Sequence, residues 1–208
     1  MAATGRAVDM AGPGDDGDGR IARRERNSDA VIDAIMVLIE AGETSPSMAD
    51  VARLAGVSER SIFRHFETRE NLLGAVIERQ LEVVTALLHE IPSTGPVGDR
   101  VVALVAERAR LYEEITPMRR AALRLVDDSP QVAQQLVDSR AWLRDELEEV
   151  FHRELSRRAP AERRDLLAAL GMATSWEAWN VLRTFEDCSV ARARRVLVRT
   201  MTRLLAGA

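Results

Sequence analysis

Residues 47–66 read SMADVARLAGVSERSIFRHF, and they constrain the chain more than any other stretch. The segment spells two short helices around a tight turn. Met48, Val51, Ala52 and Leu54 give the first an apolar face. Ala55-Gly56-Val57 makes the turn, with Gly56 suited to a left-handed backbone that a Cβ resists. Ser58 is placed to cap the second helix by accepting a hydrogen bond from a free first-turn amide. Ile62 and Phe66, four apart, share one face, which leaves Glu59, Arg60, Ser61, Arg64 and His65 outward. This is the pattern of a helix-turn-helix, whose second helix enters the DNA major groove.

The rest of the composition sets bounds on that reading. With 208 residues, the chain has room for a small domain fused to a larger one. Its formal charge of −4 excludes a globally basic nucleic-acid coat, so DNA binding requires a local basic surface. All 29 basic residues are arginine, which reads chiefly as codon bias. Cys188 is the one cysteine, so no intrachain disulfide forms, and it reads as a half-buried thiol. No signal-peptide pattern and no apolar run of membrane-spanning length is present, so a cytoplasmic location and no membrane partner are expected.

Along the chain, residues 1–19 are rich in Gly, Ala and Asp and are expected to be disordered. Arginines cluster at Arg20, Arg23, Arg24 and Arg26. They read either as a basic arm entering a narrow minor groove or as a solvated tail. From Ser28 a helical period runs through Val31, Ile35 and Leu38 to Gly42. Thr68 caps a long fourth helix that ends near Ile91-Pro92. The Pro/Gly/Ser stretch 92–98 then offers a boundary. Pro117, Pro130 and Pro160 stand where helices could begin, predicting helices over 97–115, 117–126, 130–157, 161–186 and 190–206. The expected fold is all-α with about nine helices. A three-helix helix-turn-helix domain (20–75) is joined by a long helix to a C-terminal helical domain (76–208) for ligand binding and dimerisation.

The order AGVS, an aromatic residue, then Arg64-His65-Phe66 and Arg69-Glu70-Asn71-Leu72-Leu73 resembles the tetracycline-repressor (TetR) family of bacterial regulators over about residues 28–80. The resemblance implies a homodimer, an N-terminal DNA-binding domain and a C-terminal ligand and dimerisation domain. It maps DNA contacts onto Glu59, Arg60, Ser61, Phe63 and His65, and phosphate contacts onto Ser47 and Arg69. Phe63 stands where the family usually has tyrosine, so a hydroxyl bond to phosphate is missing. From the residues themselves, Arg60 and Arg64 can fork onto guanine or phosphate, and Glu59 can accept from cytosine N4 or simply balance the helix dipole. His65 reads as a phosphate donor or as a ring packed between helices. With Ser58, these make the candidate DNA-binding set. Between residues 20 and 70 there are eight arginines and nine acids, so the positive charge must be local.

The C-terminal half carries Leu111, Tyr112, Met118, Leu123, Trp142, Phe151, Met172, Trp176, Trp179 and Phe185 at helical spacing. Most read as core. Trp142, Trp176, Trp179 and Asn180 are the candidate ligand residues, with Glu113 and Glu177 as polar groups that also read as surface. Leu166, Leu170, Ala173, Val181 and Leu182, with Val190, Val196, Leu197, Met201 and Leu204, are expected to meet their twins in a four-helix dimer interface. No metal-ligand spacing, phosphate loop or catalytic triad is legible, so no cofactor, no metal and no catalysis are expected. The function expected is a dimeric regulator, most simply a repressor released from a near-palindromic operator by a small apolar or aromatic inducer. The alternatives are an orphan DNA-binding regulator and an all-helical enzyme with an architectural helix-turn-helix.

Overall fold

The computed structural model describes residues 15–206, with side chains from residue 22 onward. The first four helices are α1 (Asp15–Glu40), α2 (Met48–Ala55), α3 (Glu59–Phe66) and α4 (Arg69–Leu87). Then come α5 (Val97–Leu125), α6 (Pro130–Val150), α7 (His152–Leu155), α8 (Pro160–Ala173) and α9 (Trp176–Asn180). A π-helical turn, Val181–Phe185, continues α9, and α10 (Val190–Ala206) closes the chain. The all-α class and a total near nine match the sequence reading.

The helix-turn-helix forms through local chemistry. Ser47 Oγ accepts from the Asp50 amide at 3.1 Å and donates to the Asp50 carboxylate at 2.6 Å, capping α2. Gly56 ends α2 at φ 68°, ψ 28°, the left-handed geometry expected of it. Ser58 Oγ caps α3 through the Ser61 amide at 3.2 Å, and Thr68 caps α4 through Asn71 at 3.1 Å. Val31, Val51 and Ile62 are sealed where α1, α2 and α3 meet. Burying each such side chain contributes about 1.5–3 kcal/mol.

A second core lies among α5, α6, α8, α9 and α10, built around Leu104, Tyr112, Phe151, Leu170, Trp179 and Met201. Helix α4 serves both cores. Leu72 and Val76 belong to the first, while Val84 packs against the second. Ala121 of α5 is buried in the first core as well, so α5 also reaches the helix-turn-helix bundle.

Several boundaries differ from the sequence reading. Residues 1–14 of the tail expected to be disordered lie outside the described residues, and α1 already begins at Asp15, ahead of Ser28. The run Arg20–Arg26 is therefore helical rather than an extended arm, in keeping with the helix preference of its Ala, Arg and Glu residues. A helix about 10–12 Å across does not enter a minor groove about 6 Å wide. α4 stops at Leu87, short of Pro92. There the Arg110 guanidinium takes the Leu87 carbonyl, and Glu107 accepts the His89 amide at 3.0 Å.

Pro117 does not start a helix but lies inside α5. Next to it the Thr116 hydroxyl donates to the Tyr112 carbonyl at 2.5 Å. The expected helix 130–157 breaks at Phe151, where the Arg100 guanidinium captures the Val150 carbonyl. The expected helix 161–186 breaks at Thr174. Its carbonyl accepts from the Tyr112 hydroxyl at 2.7 Å, and Ser175 caps the new helix.

The apolar residues expected at a dimer face divide in three, with Leu166, Ala173, Leu182, Val190 and Leu204 half-buried against the C-terminal core. Leu170, Leu197 and Met201 are buried within this chain's own core and are not available to a twin. Val181 and Val196 remain exposed, together with Phe185 at 76 %.

Candidate nucleic-acid interface

Helix α3 is a short platform with two faces. Ile62 and Phe66 point into the first core, which fixes its rotation. The opposite face carries Glu59, Arg60, Phe63 and Arg64 into solvent, Phe63 being 59 % exposed. Ser61 is half-buried beside Ser58, its hydroxyl 3.0 Å from the capping oxygen. Ser47, Ser58 and Arg69 are exposed at the starts of α2, α3 and α4. Of the nine candidate DNA residues, seven are exposed, and Ser61 and His65 are half-buried.

Both ring nitrogens of His65 are shielded from solvent and have no hydrogen-bond partner among the described residues. Desolvation, then the nearby Arg64 and Arg24 charges, push its pKa below the usual imidazole value. The half-buried ring sits between α3 and α1, which favours the packed reading of His65 over an outward phosphate donor.

The local basic surface arises from tertiary convergence. Arg23, Arg24 and Asn27 of α1 meet Ser61, Arg64 and His65 of α3 and Glu67 around a cleft of about 640 Å³. Meanwhile Asp29 and Asp33 both bind Arg79 of α4, at 2.9 and 2.5 Å, and Asp50 pairs with Arg53 at 3.0 Å. Acids that outnumber arginines in the sequence are thereby balanced within the domain. Asn27 carried no sequence signal, because only the α1–α3 crossing brings it to this cleft.

Glu67, just after α3, has φ 61° and ψ −49°. This is a positive-φ geometry that a side chain with a Cβ disfavours.

Beneath α4 lies a cavity of about 1290 Å³, bounded by α4, α5, α6 and α8 and extending to the inner side of α3. Its wall is largely apolar: Leu72, Val76, Val84, Ile115, Met118 and Leu136 are representative. Of the four expected ligand residues, Trp142 and Trp176 line it. Trp179 and Asn180 do not. Trp179 is buried core, its indole N–H donating to Glu113 at 2.9 Å. Asn180 Oδ1 instead accepts from Arg120 at 3.2 Å and from Thr184 at 3.1 Å. The residues missed from sequence are Arg119 and Arg140, which join Glu177 in the cavity wall. Nothing in a run of arginines distinguishes these two from their neighbours before folding.

Among the described residues there is no group of three His, Cys, Asp or Glu side chains that could hold a metal ion, and no helix is long and apolar enough to cross a membrane.

Comparison with known proteins agrees with this architecture. An uncharacterised HTH-type transcriptional regulator of Mycobacterium tuberculosis is 39% identical over 108 residues, covering 47% of this chain and 55% of the relative. The chain thus spans about half the length of that relative. A second M. tuberculosis regulator described in the same words is 26% identical over 184 residues, covering 88% of this chain and 76% of its own. A solved transcriptional regulator from Rhodococcus sp. Rha1 superposes with a TM-score of 0.64 at 20% identity, covering 89% of this chain and 97% of that one. A putative TetR-family regulator from Mesorhizobium loti gives a TM-score of 0.60 at 21% identity, covering 90% and 98%. At such identities the two structures establish the shared fold. The family model for bacterial regulatory proteins of the tetR family matches residues 32–76, the segment from α1 into α4 that builds the α3 platform. Over residues 32–76 the chain is thus similar to the tetR family of bacterial regulatory proteins.

Proposed function

We propose that this chain is a dimeric DNA-binding transcriptional regulator, a repressor released from a near-palindromic operator by a small apolar or aromatic molecule. The observation that carries the DNA-binding part is α3 itself: capped by Ser58, locked by Ile62 and Phe66, and presenting Arg60, Phe63 and Arg64 outward. A helix held so presents its side chains to the major groove without further ordering. Residues 20–75 act as the DNA-binding unit and 76–208 as the ligand and dimerisation unit. The cavity supports a ligand-responsive regulator over an orphan one. Exposed Val181, Phe185 and Val196 support a twofold partner. The whole reading is of a cytoplasmic regulator and not of an enzyme.

In this mechanism the two recognition helices of a dimer sit roughly 34–36 Å apart to read successive turns of the groove. A ligand favouring another pose of the C-terminal bundle changes that spacing through α4, and DNA weakens ligand binding by the same factor. The test is selection of bound DNA from a genomic pool, followed by variants on the selected site. Arg69→Ala should weaken binding to all sequences and lower the salt slope by about 0.9 per lost phosphate contact, so about 2 per dimer. Arg60→Ala should relax preference at one base position, and Phe63→Tyr should tighten binding with no change in salt slope. Affinity unchanged in all three would remove α3 as the recognition helix.

A further inference from the structure

The cavity wall has a polar end whose charges do not balance. The Glu177 carboxylate of α9 receives two guanidiniums, Arg119 Nη2 of α5 at 3.1 Å and Arg140 Nη2 of α6 at 2.6 Å. Desolvation raises the Glu177 pKa, but hydrogen bonds from Arg140, from its own backbone amide and from Arg119 outweigh it and hold the carboxyl below the usual carboxylate range. Two cations share one anion: Arg140 and Glu177 are open to solvent, 58 % and 45 % exposed, while Arg119 faces the apolar side chains of the cavity. Arg119 is the deeper of the pair, only 9 % exposed. Its guanidinium lies 5.7 Å from the Trp176 ring centroid, and its Nε has no hydrogen-bond partner among the described residues. The neighbouring polar atoms are committed elsewhere. The Trp176 indole N–H donates to Thr116 at 3.0 Å, Thr116 donates to Tyr112, and the Tyr112 hydroxyl donates to Thr174. Arg108 Nε and Nη1 and Arg158 Nε are likewise without acceptors among the described residues, but of these arginines Arg119 is the one on the cavity wall, where a ligand could supply the acceptor.

We propose that the cavity takes a hydrophobic carboxylic acid. Released from Glu177, the Arg119 guanidinium turns its enclosed Nε and its Nη2 to the carboxylate, which accepts from both as a planar fork, and the apolar body lies among Ile115, Met118 and Leu136. Glu177 then keeps Arg140 alone. The proposal rests on the reading of the cavity as a ligand site and names the class of molecule that site selects. It also gives the ligand an effect on the fold. Arg119 is on α5 and Glu177 on α9, so an acid that competes for Arg119 loosens the tie between α5 and the segment continuing into Val181 and Phe185.

The experiment is calorimetric titration of the full chain with matched pairs, dodecanoate against 1-dodecanol and biphenyl-4-carboxylate against biphenyl-4-methanol. At least one acid should bind about tenfold tighter than its alcohol, as a charge-assisted hydrogen bond allows. Arg119→Gln should erase that preference while leaving the alcohol's affinity unchanged. Glu177→Gln should strengthen acid binding severalfold, because it removes the internal competitor. A purely structural Arg119–Glu177 pair predicts the reverse, or no change. Acid and alcohol bound equally well by the wild-type chain would overturn the proposal and leave the cavity reading standing. Failure of all four probes to bind at millimolar concentration would overturn both. Circular dichroism of each variant separates lost folding from lost recognition, and Glu177→Gln keeps the test decisive if Arg119→Gln unfolds.

Discussion

The two cores of this molecule are built on different rules. The helix-turn-helix core is apolar: its buried residues run from Val31 to Val76, with Ala121 added from α5. The C-terminal core encloses charge. Arg100, Glu107, Arg108 and Arg119 are all buried there. Arg100 binds Glu154 at 2.5 Å, and Arg108, fully enclosed, binds the Leu143 carbonyl at 3.0 Å and Glu146 at 2.7 Å. An apolar core tolerates no alternative beyond looser packing. A core of ion pairs can exchange partners, since Arg108 and Arg119 keep guanidinium nitrogens with no acceptor among the described residues. In the proposed function, reading a fixed groove would call for the first kind of core, and responding to a small molecule for the second.

The comparison is broken most directly at Arg108. Arg108→Ala leaves Glu146 without its buried cation, and a loss of about 3–5 kcal/mol is expected, measured by denaturant unfolding of the C-terminal bundle. Arg108→Met with Glu146→Gln should recover much of it. A loss below about 1 kcal/mol for the single variant would make the charges dispensable and the contrast between cores spurious.

Acid should separate the bundles next. Glu107, Glu113, Glu154 and Glu177 are each partly desolvated, but hydrogen bonds from arginine, from the Trp179 indole and from backbone amides outweigh this and lower their pKa values. A carboxyl lowered on folding contributes stability that is present above the unfolded value, about 4.3 for Glu, and lost as pH falls through the folded value. Glu146 moves the other way, raised by burial, and offsets part of the loss. In the helix-turn-helix bundle the lowered carboxyl among the described residues is the exposed Asp50. Tryptophan fluorescence, which reports only on the C-terminal half, should therefore change at a higher pH than the NMR signals of Val31 and Ile62. Coincident transitions would show that the two cores unfold as one.

Smaller effects sharpen the apolar side. Ser58→Ala removes the α3 cap and should cost about 1 kcal/mol, with a matching loss of DNA affinity if α3 frays. Glu67→Gly relieves the positive φ and should stabilise by a few tenths of a kcal/mol up to about 1 kcal/mol, visible as a raised Tm. A lowered Tm would mean that the Glu67 side chain is needed in the arginine cleft.

The helix-turn-helix was legible in the sequence because its determinants are local. Ser47, Gly56, Ser58 and Thr68 act within three residues, and the 62/66 pair needs only helical spacing. The breaks in the second half were not legible, since they come from distant side chains. Tyr112 reaches Thr174 across 62 residues, and Arg100 reaches Val150 across 50. The exposed side of α3, the proposed DNA face, could be named from sequence for the same local reason. His65 could not be placed, because α1 decides what covers it. In the cavity, Trp142 and Trp176 were foreseeable as large apolar groups, but Arg119 and Arg140 acquire meaning only when three helices bring them to Glu177.

Helix α4 has one end in each core, and this gives it the mechanics of a lever arm. Its 19 residues make a rod about 28 Å long. A tilt of about 5° at the Val84 end displaces the Leu72 end by about 2 Å, roughly half the spacing between neighbouring base pairs. In the proposed ligand response, an exchange of partners in the ion-paired core would supply such a tilt. The apolar core, which cannot deform to absorb it, would pass the displacement on to α3 undiminished.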